Sequence, residues 1–531
     1  MPKNEDPKFG KYFNLPNPGL RAWFQGVVRG QPDEYRTNFY TGRSLKSILD
    51  GWMPKLKSLD DKWPSLVAFE EDLAKKVGPL SIQKPLAERM DDIDSYYESI
   101  LLDSKPISQE AVDAVLREWA DVSRIRLRSQ ENTWRNMKKS TNSGSPYFQT
   151  KSKVVEKTIP GYVARGVKPD NGTYWLDQPG GTWKAAAILG WRGQEGGLNA
   201  DDVKQRVVWM FPFLLNIEEL RFYQPLIEAA QAYKKVPAWI GLDAVDEAIT
   251  KLFDTKSADD NIVCTDFTKF DQHFNADMQA AAKTILERLM AGHGQYWFEQ
   301  VFPAKYNIPL AYDWDCLRFG AHGMASGSGG TNADETLVHR ALQYEAALSA
   351  GAELNPNSQC LGDDGILSYH GITVEDVVQT YSRHGQEMNL SKQYVSKLDC
   401  IYLRRWHHRD YRIDGKCVGV YSTARALGRL AEQERYYDNW SREMVALRQL
   451  SIIENCNHHP LREEFVDYCM KGDKYRLGLG IPGFFDNLSH IAKEATDYMP
   501  DFLGYSRSLG RADADRGINE WWVVKYLKSK A

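Results

Sequence analysis

Long apolar runs are absent from this sequence. The longest, Val207 to Leu215, is too short to span a bilayer. The start, Met1 to Pro7, is polar and carries no apolar signal segment. Cysteine is sparse, with seven residues in 531 and no C-x-x-C pair. That excludes a disulfide framework and fits a reduced, cytosolic setting. Cys400, His407, His408 and Cys417 can be drawn as a zinc site, but their spacing fits no common zinc pattern. An excess of positive charge is also missing. The net charge is −4, so no global basic field surrounds the chain. Internal repeats and low-complexity linkers are absent, and 531 residues are too many for one core, so several subdomains are expected.

What is present is a set of carboxylates at turns. Gly362-Asp363-Asp364 lies between two short apolar stretches, Gln359-Cys360-Leu361 and Gly365-Ile366-Leu367. The pattern predicts a tight β-hairpin with two carboxylates at its tip. Adjacent carboxylates repel unless a cation sits between them, and hard oxygen ligands suit magnesium. Upstream, Asn261 to Thr265 reads as a short buried strand ending at Asp266, with Asp271 five residues further on. A helix then starts near Asn275, with Ala281, Ile285, Leu286 and Leu289 on one face. If the two strands are neighbours, Asp266 and Asp363 meet at one end of a sheet. That is an apparatus for in-line phosphoryl displacement on two metal ions. Between the two acidic segments, His322 to Thr331 is glycine-rich and runs into a helix from about Asn332 to Ala350. It is neither a Walker A loop nor a G-x-G-x-x-G fingerprint.

Taken in order, strand-Asp-x4-Asp, Ser326-Gly327-x3-Thr331-Asn332 and Gly362-Asp363-Asp364 resemble the palm of viral RNA-dependent RNA polymerases. The wording is most similar to picobirnaviruses, with partitiviruses next. The resemblance implies an α+β right-hand fold of fingers, palm and thumb, with an antiparallel palm sheet backed by helices and a closed fingers-thumb arrangement. It implies template-directed RNA synthesis by two-metal nucleotidyl transfer, replicating and transcribing a double-stranded RNA genome. Asp266, Asp363 and Asp364 would be catalytic metal ligands for Mg2+, with Mn2+ as a substitute. Lys204, Arg206, Asp271, Ser326, Gly327, Thr331 and Asn332 would bind the nucleotide, Asp271 and the loop polar groups reading the ribose 2′-hydroxyl. Arg192 is a further phosphate candidate. Lys392 is the expected general acid toward pyrophosphate, with Lys397 as runner-up. Ser143, Gly144, Ser145 and Pro146 resemble the template-guiding turn, and the run Ile401 to Trp406, with Arg404 and Arg405, resembles the primer-grip strand.

Implied partners are RNA template and product, ribonucleoside triphosphates and a viral capsid protein, with no membrane. The implied places are the virion interior and host cytoplasm. Such an enzyme can keep its positive surface in channels. The basic residues are indeed clustered, at Arg124 to Arg128, at Arg135 with Lys138 and Lys139, and from Arg404 to Arg412. Motif positions divide the chain into an N-terminal bridge (1–60), fingers (61–240 and 291–322), palm (241–290 and 323–415) and thumb with C-terminal tail (416–531). Two other classes share parts of the pattern. A reverse transcriptase would screen out the 2′-hydroxyl with a bulky residue after the first Asp. A noncatalytic, capsid-associated RNA-binding protein would not need all three carboxylates. Near the C-terminus, Trp521-Trp522 is expected to dock, either on the thumb exterior or as a plug in the central cavity. The plug reading makes a deletion from about Ser506 onward raise primer extension.

Overall fold

Ile262-Val263-Cys264-Thr265 is without charge at every position because both faces of its sheet are covered. In the computed structural model, which describes residues 7–122, 124–167, 172–292, 294–437, 440–498 and 517–531, the strand Ile262–Thr265 is interior to a four-stranded sheet. Asp364–Leu367 lies on one side of it, followed by Gln359–Leu361, and Tyr394–Ser396 lies on the other. All three pairings are antiparallel. Alternate side chains point to opposite faces. Val263 and Leu367 enter the main core with the helices Ala276–Leu289, Thr331–Ser349 and Val374–Arg383. Ile262, Cys264 and Ile366 enter a second core with Val245, Ile249 and Leu252 of the helix Leu242–Thr255. Each fully buried aliphatic side chain of this kind stabilises the fold by ~1.5–3 kcal/mol.

The helices begin where their caps require. Asn275 accepts from the Met278 N–H and Thr373 from the Asp376 N–H, each occupying one of the orphan donors of a first turn.

The fingers sheet joins distant segments. Ala187–Gln194 pairs antiparallel with Lys204–Met210 and parallel with Leu310–Asp313, which pairs with Cys316–Arg318. Residues 310–318 therefore share a sheet with residues 187–194 and 204–210. The N-terminal stretch divides between two cores. Phe9, Phe13 and Phe24 pack on Ile188 and Ala311 of the fingers sheet, while Leu45, Ile48 and Trp52 pack with the C-terminal helices. Leu66, Val67, Phe69 and Val77 also join the C-terminal core, so residues 61–77 go with the thumb rather than the fingers. Their apolar faces carry no label for which core they enter.

The expected strand Ile401 to Trp406 is instead a hairpin. Asp399–Tyr402 pairs with Arg405–His408, leaving Leu403 and Arg404 as a two-residue turn. No Gly or Asn marks that turn, which is why the sequence reads as continuous. Val420–Tyr421 adds a third strand to it, so the palm-side sheet extends past 416. The thumb helices follow: Thr423–Ala431, Arg442–Glu454, Arg462–Gly472 and Leu488–Tyr498. The last helix, Trp522–Ser529, docks on them. Trp521, Val523, Val524 and Leu527 are buried there, and Glu454 accepts the Trp522 and Val523 N–H groups. The tryptophan pair thus sits on the thumb. Ser506 lies outside the described residues. Among these residues no helix is long and apolar enough to cross a membrane.

Candidate active site

The hairpin between Gln359–Leu361 and Asp364–Leu367 has a two-residue loop, Gly362 and Asp363. Gly362 has φ 58, in the region that costs a side chain strain and glycine none. The buried helix Thr331–Ser349 grips this glycine on both sides. Thr336 Oγ1 accepts its N–H at 2.9 Å, and His339 Nδ1 lies 2.8 Å from its carbonyl. Burial pushes His339 down to about 4, so the ring is neutral and Nδ1–H donates to Gly362. The same ring packs on Gly365, where an added Cβ would sit 2.6 Å from His339 Cε1. The turn carrying the carboxylates is therefore fixed by a helix that starts at the glycine-rich loop.

Strand register brings the acids together. Gly365 is opposite Thr265, so one step further Asp364 faces Asp266. On the other side Tyr394 is opposite Cys264, and Lys392, in the 3-10 turn just before that strand, acts electrostatically on Asp266. Gln393 secures this end by accepting the Asp266 N–H at 2.7 Å and donating to its carbonyl at 2.9 Å. Lys397 lies beyond the opposite strand end, roughly 16 Å away along the sheet at the usual rise per residue. It sits near Lys256 instead.

Hydration is thin here and the acids raise one another. Asp364 is pushed up to about 7 by burial and by Asp363, although its Oδ2 accepts the Leu403 N–H at 2.9 Å. Asp363 is raised by lost hydration, then by Asp271 and Asp266, with Arg206 opposing. Asp266 is raised by lost hydration, against Lys392, Lys76 and Lys204. Asp266 and Asp363 both keep side chains open to the cleft. Among the described residues no three His, Cys, Asp or Glu groups form a closed metal cage. An open pair of carboxylates with unneutralised charge fits magnesium, which takes one or two carboxylates and completes its shell with water and substrate phosphates. Residues Asp266 and Asp363 would hold it.

A residue not singled out in the sequence completes the sugar side. Glu335 is buried four positions after Thr331, and its carboxyl is within hydrogen-bonding reach of Asp271. Burial, Asp271 and Asp363 hold Glu335 well above the usual carboxylate range. The Asp271 carbonyl accepts the Met324 N–H, joining this segment to the loop. The loop residues themselves are largely spent on structure. Thr331 Oγ1 donates to the Ala325 carbonyl, and Ser326 Oγ bridges Val207 and Trp209 of the fingers strand. Gly327 is pressed on the Trp209 carbonyl, leaving no room for a side chain. Asn332 Oδ1 accepts from Trp239 Nε1 at 2.8 Å, with its amide nitrogen beside Gly362. The Ser326 and Thr331 hydroxyls, expected at the sugar, are engaged here in holding the loop.

From the fingers strand Lys204–Met210, Lys204 and Arg206 are exposed and act electrostatically on Asp266 and Asp363 respectively. Arg192, Arg206, Arg404, Arg405, Arg425 and Arg429 line a cavity of about 370 Å³ beside the acids. Arg404 is half-exposed there, and Arg405 is buried and donates toward the Gly419 and Asn455 carbonyls. The expected template turn is likewise bonded to the protein. Ser143 Oγ accepts the Gln149 N–H, Ser145 Oγ donates to the Tyr12 carbonyl, and the Pro146 carbonyl accepts the Asn14 N–H. Gly144, at φ 65, backs onto the Phe211 carbonyl. The turn's polar groups face the protein. The zinc reading also falls. His407 Nε2 is bonded to Asp246 at 2.9 Å, and Cys400 is buried in an apolar core.

Comparison with known proteins agrees with this arrangement. Residues 28–410 match the viral RNA-dependent RNA polymerase family. The chain is 62% identical to a potential RNA-dependent RNA polymerase of a human picobirnavirus, covering 98% of each. It also matches the crystal structure of the RNA-dependent RNA polymerase of a human picobirnavirus, at 61% identity and TM-score 0.93, covering 98% of this chain and 99% of that one. An insertion-loop deletion mutant of such a polymerase matches at 60% identity and TM-score 0.92, with the same coverage. Neither a reverse transcriptase nor a noncatalytic RNA-binding protein is favoured by these matches. With its three carboxylates on one sheet end and its whole length aligned, the chain belongs to the viral RNA-dependent RNA polymerases.

Proposed function

We propose that this polymerase joins ribonucleotides at the end of the palm sheet where Asp266 and Asp364 face each other and Asp363 tips the adjoining turn. The observation that carries the reading is the strand register that sets Asp364 across from Asp266, with Lys392 acting electrostatically on Asp266 from the turn beside it. Polymerases of this family use divalent metals. Magnesium, or manganese in its place, would activate the primer 3′-hydroxyl and neutralise the pyrophosphate when bound. Asp266 and Asp363 would hold it, with Asp364 assisting. Arg206 and Lys204 neutralise phosphate oxygens from above. Asp271, held by Glu335, accepts the ribose 2′-hydroxyl. Lys392 keeps its proton near the phosphates and delivers it to the leaving oxygen.

The substrates in this reading are an RNA template and ribonucleoside triphosphates. A capsid-protein partner, and places in the virion interior and host cytoplasm, belong to the same proposal. Seven free cysteines suit the cytoplasm. Cosedimentation with capsid protein tests the partner. The site itself is tested with Asp363→Ala. Nucleotide incorporation on a primed RNA template should be abolished while the circular dichroism spectrum stays unchanged. Near-normal incorporation by a folded Asp363→Ala protein would refute the assignment.

A further inference from the structure

The turn between Asp399–Tyr402 and Arg405–His408 is built against its own backbone preference. Leu403 (φ 52) and Arg404 (φ 61) both lie in the left-handed region. Side chains avoid that region, and two-residue hairpins of this hand favour Asn-Gly or Asp-Gly. Here the turn is held from outside at two points. Asp364 Oδ2 accepts the Leu403 N–H at 2.9 Å, and Arg404 pairs with Glu195 at 3.6 Å. Glu195 is shared further. Arg429 Nε lies 2.9 Å and Arg425 Nε 3.4 Å from its Oε1, both on the thumb helix Thr423–Ala431. Glu195 directly follows the fingers strand Ala187–Gln194, and the neighbouring Gly193 N–H donates to Glu434 at 3.2 Å. One carboxylate from the fingers therefore meets cations from the palm turn and from the thumb.

We propose that Glu195 is a positioning residue for nucleotidyl transfer. By holding Arg404 it keeps the Leu403–Arg404 turn left-handed, so that the Leu403 N–H stays on Asp364. It does so only while fingers and thumb are closed on the palm. The inference rests on the polymerase reading of the Asp266–Asp363–Asp364 site. The surroundings of Glu195 suit the role. Its side chain is only 10% exposed, and burial alone would raise its pKa, but Arg429, Arg425 and Arg404 together hold it below the usual range. Closure of the ring is thereby coupled to the orientation of a carboxylate on the adjacent palm strand.

The test is a double-mutant cycle in the full chain. Glu195→Gln keeps the shape and removes the charge. Its kcat for single-nucleotide extension should fall about tenfold with KM for nucleotide changed by no more than about twofold. Leu403→Gly supplies a residue that adopts the left-handed shape freely. In that background the loss on Glu195→Gln should shrink to about twofold. Equal losses in both backgrounds, no loss in the parent, or a rise in KM with kcat unchanged would each overturn the proposal. If Glu195→Gln does not fold, Arg404→Ala enters the same cycle from the other side of the pair, with the same outcomes. Asp363→Ala is run alongside. If it is inactive while Glu195→Gln is normal, only this inference fails; if it is active, the reading beneath it fails too.

Discussion

Asp364 carries the costliest charge among the three acids. Burial and Asp363 push it up to about 7, against ~3.9 for an unfolded Asp. Between those values the folded chain binds the proton more tightly than the unfolded chain. The Asp364 contribution to stability is thus complete below about pH 4 and is lost as pH rises through 7. In chelator, Asp364→Asn should raise the melting temperature at pH 8 and change it little at pH 4.5. Thermal melts of both proteins at the two pH values check this. No gain at pH 8 would mean that the acids are already neutralised by Arg206 and the lysines. Sugar choice also belongs to single residues. Asp271→Ala should lower the ratio of ribonucleotide to deoxyribonucleotide efficiency by at least about tenfold, because a hydroxyl-bonding group is lost. Glu335→Gln can still donate to Asp271 and should keep most of the ratio, whereas Glu335→Ala should follow Asp271→Ala. Competitive incorporation of CTP and dCTP measures it. An unchanged ratio for Asp271→Ala would make that residue structural.

At the scale of elements, the strand Tyr394–Ser396 separates two lysines that the sequence leaves open. Lys392, just before it, lies near enough to act on Asp266, while Lys397 follows its opposite end. Lys392→Leu should therefore slow chemistry about a hundredfold with little change in nucleotide affinity, and Lys397→Leu should not. Rapid-quench incorporation separates the two, and a larger effect at Lys397 would move the role there. The helix Thr331–Ser349 yields a stability prediction. Gly365→Ala places a Cβ 2.6 Å from His339 Cε1 beneath the catalytic turn. Overpacking of this kind costs ~1–3 kcal/mol and should lower the melting temperature, while Gly371→Ala, whose Cβ meets no atom within 4 Å, is strained only through its φ of 76.

Over the whole molecule, the N-terminal stretch divides between two cores and the C-terminal helix completes one of them. Residues near Phe9 to Phe24 lie on the fingers, and Leu45 to Val77 lie on the thumb. Trp522–Ser529 completes the thumb core with Val523, Val524 and Leu527. Deleting 517–531 removes those side chains and leaves Glu454 without two of its donors. The truncated chain should melt several degrees lower and should not extend primers faster. A soluble truncation with raised primer extension would restore the plug reading.

The local sequence by itself determined the palm. Short apolar runs ending in Asp266 and flanking Gly362-Asp363, a glycine-rich loop before a helix, and the caps Asn275 and Thr373 all describe chemistry within a few residues of each position. Such signals survive without knowledge of the fold. Only the tertiary structure decided what depends on packing between distant segments. It seated residues 61–77 in the thumb core, because an apolar helix face fits either core. It turned Ser143, Ser145 and Arg405 inward, because hydroxyl and guanidinium groups serve protein carbonyls as readily as RNA. It revealed the turn at Leu403 and Arg404, whose residues give no turn signal because contacts with Asp364 and Glu195 hold them in place. It brought Glu335 to Asp271 and Lys392 to Asp266 through strand pairing and helix packing, relations between elements far apart in the chain that no local pattern encodes.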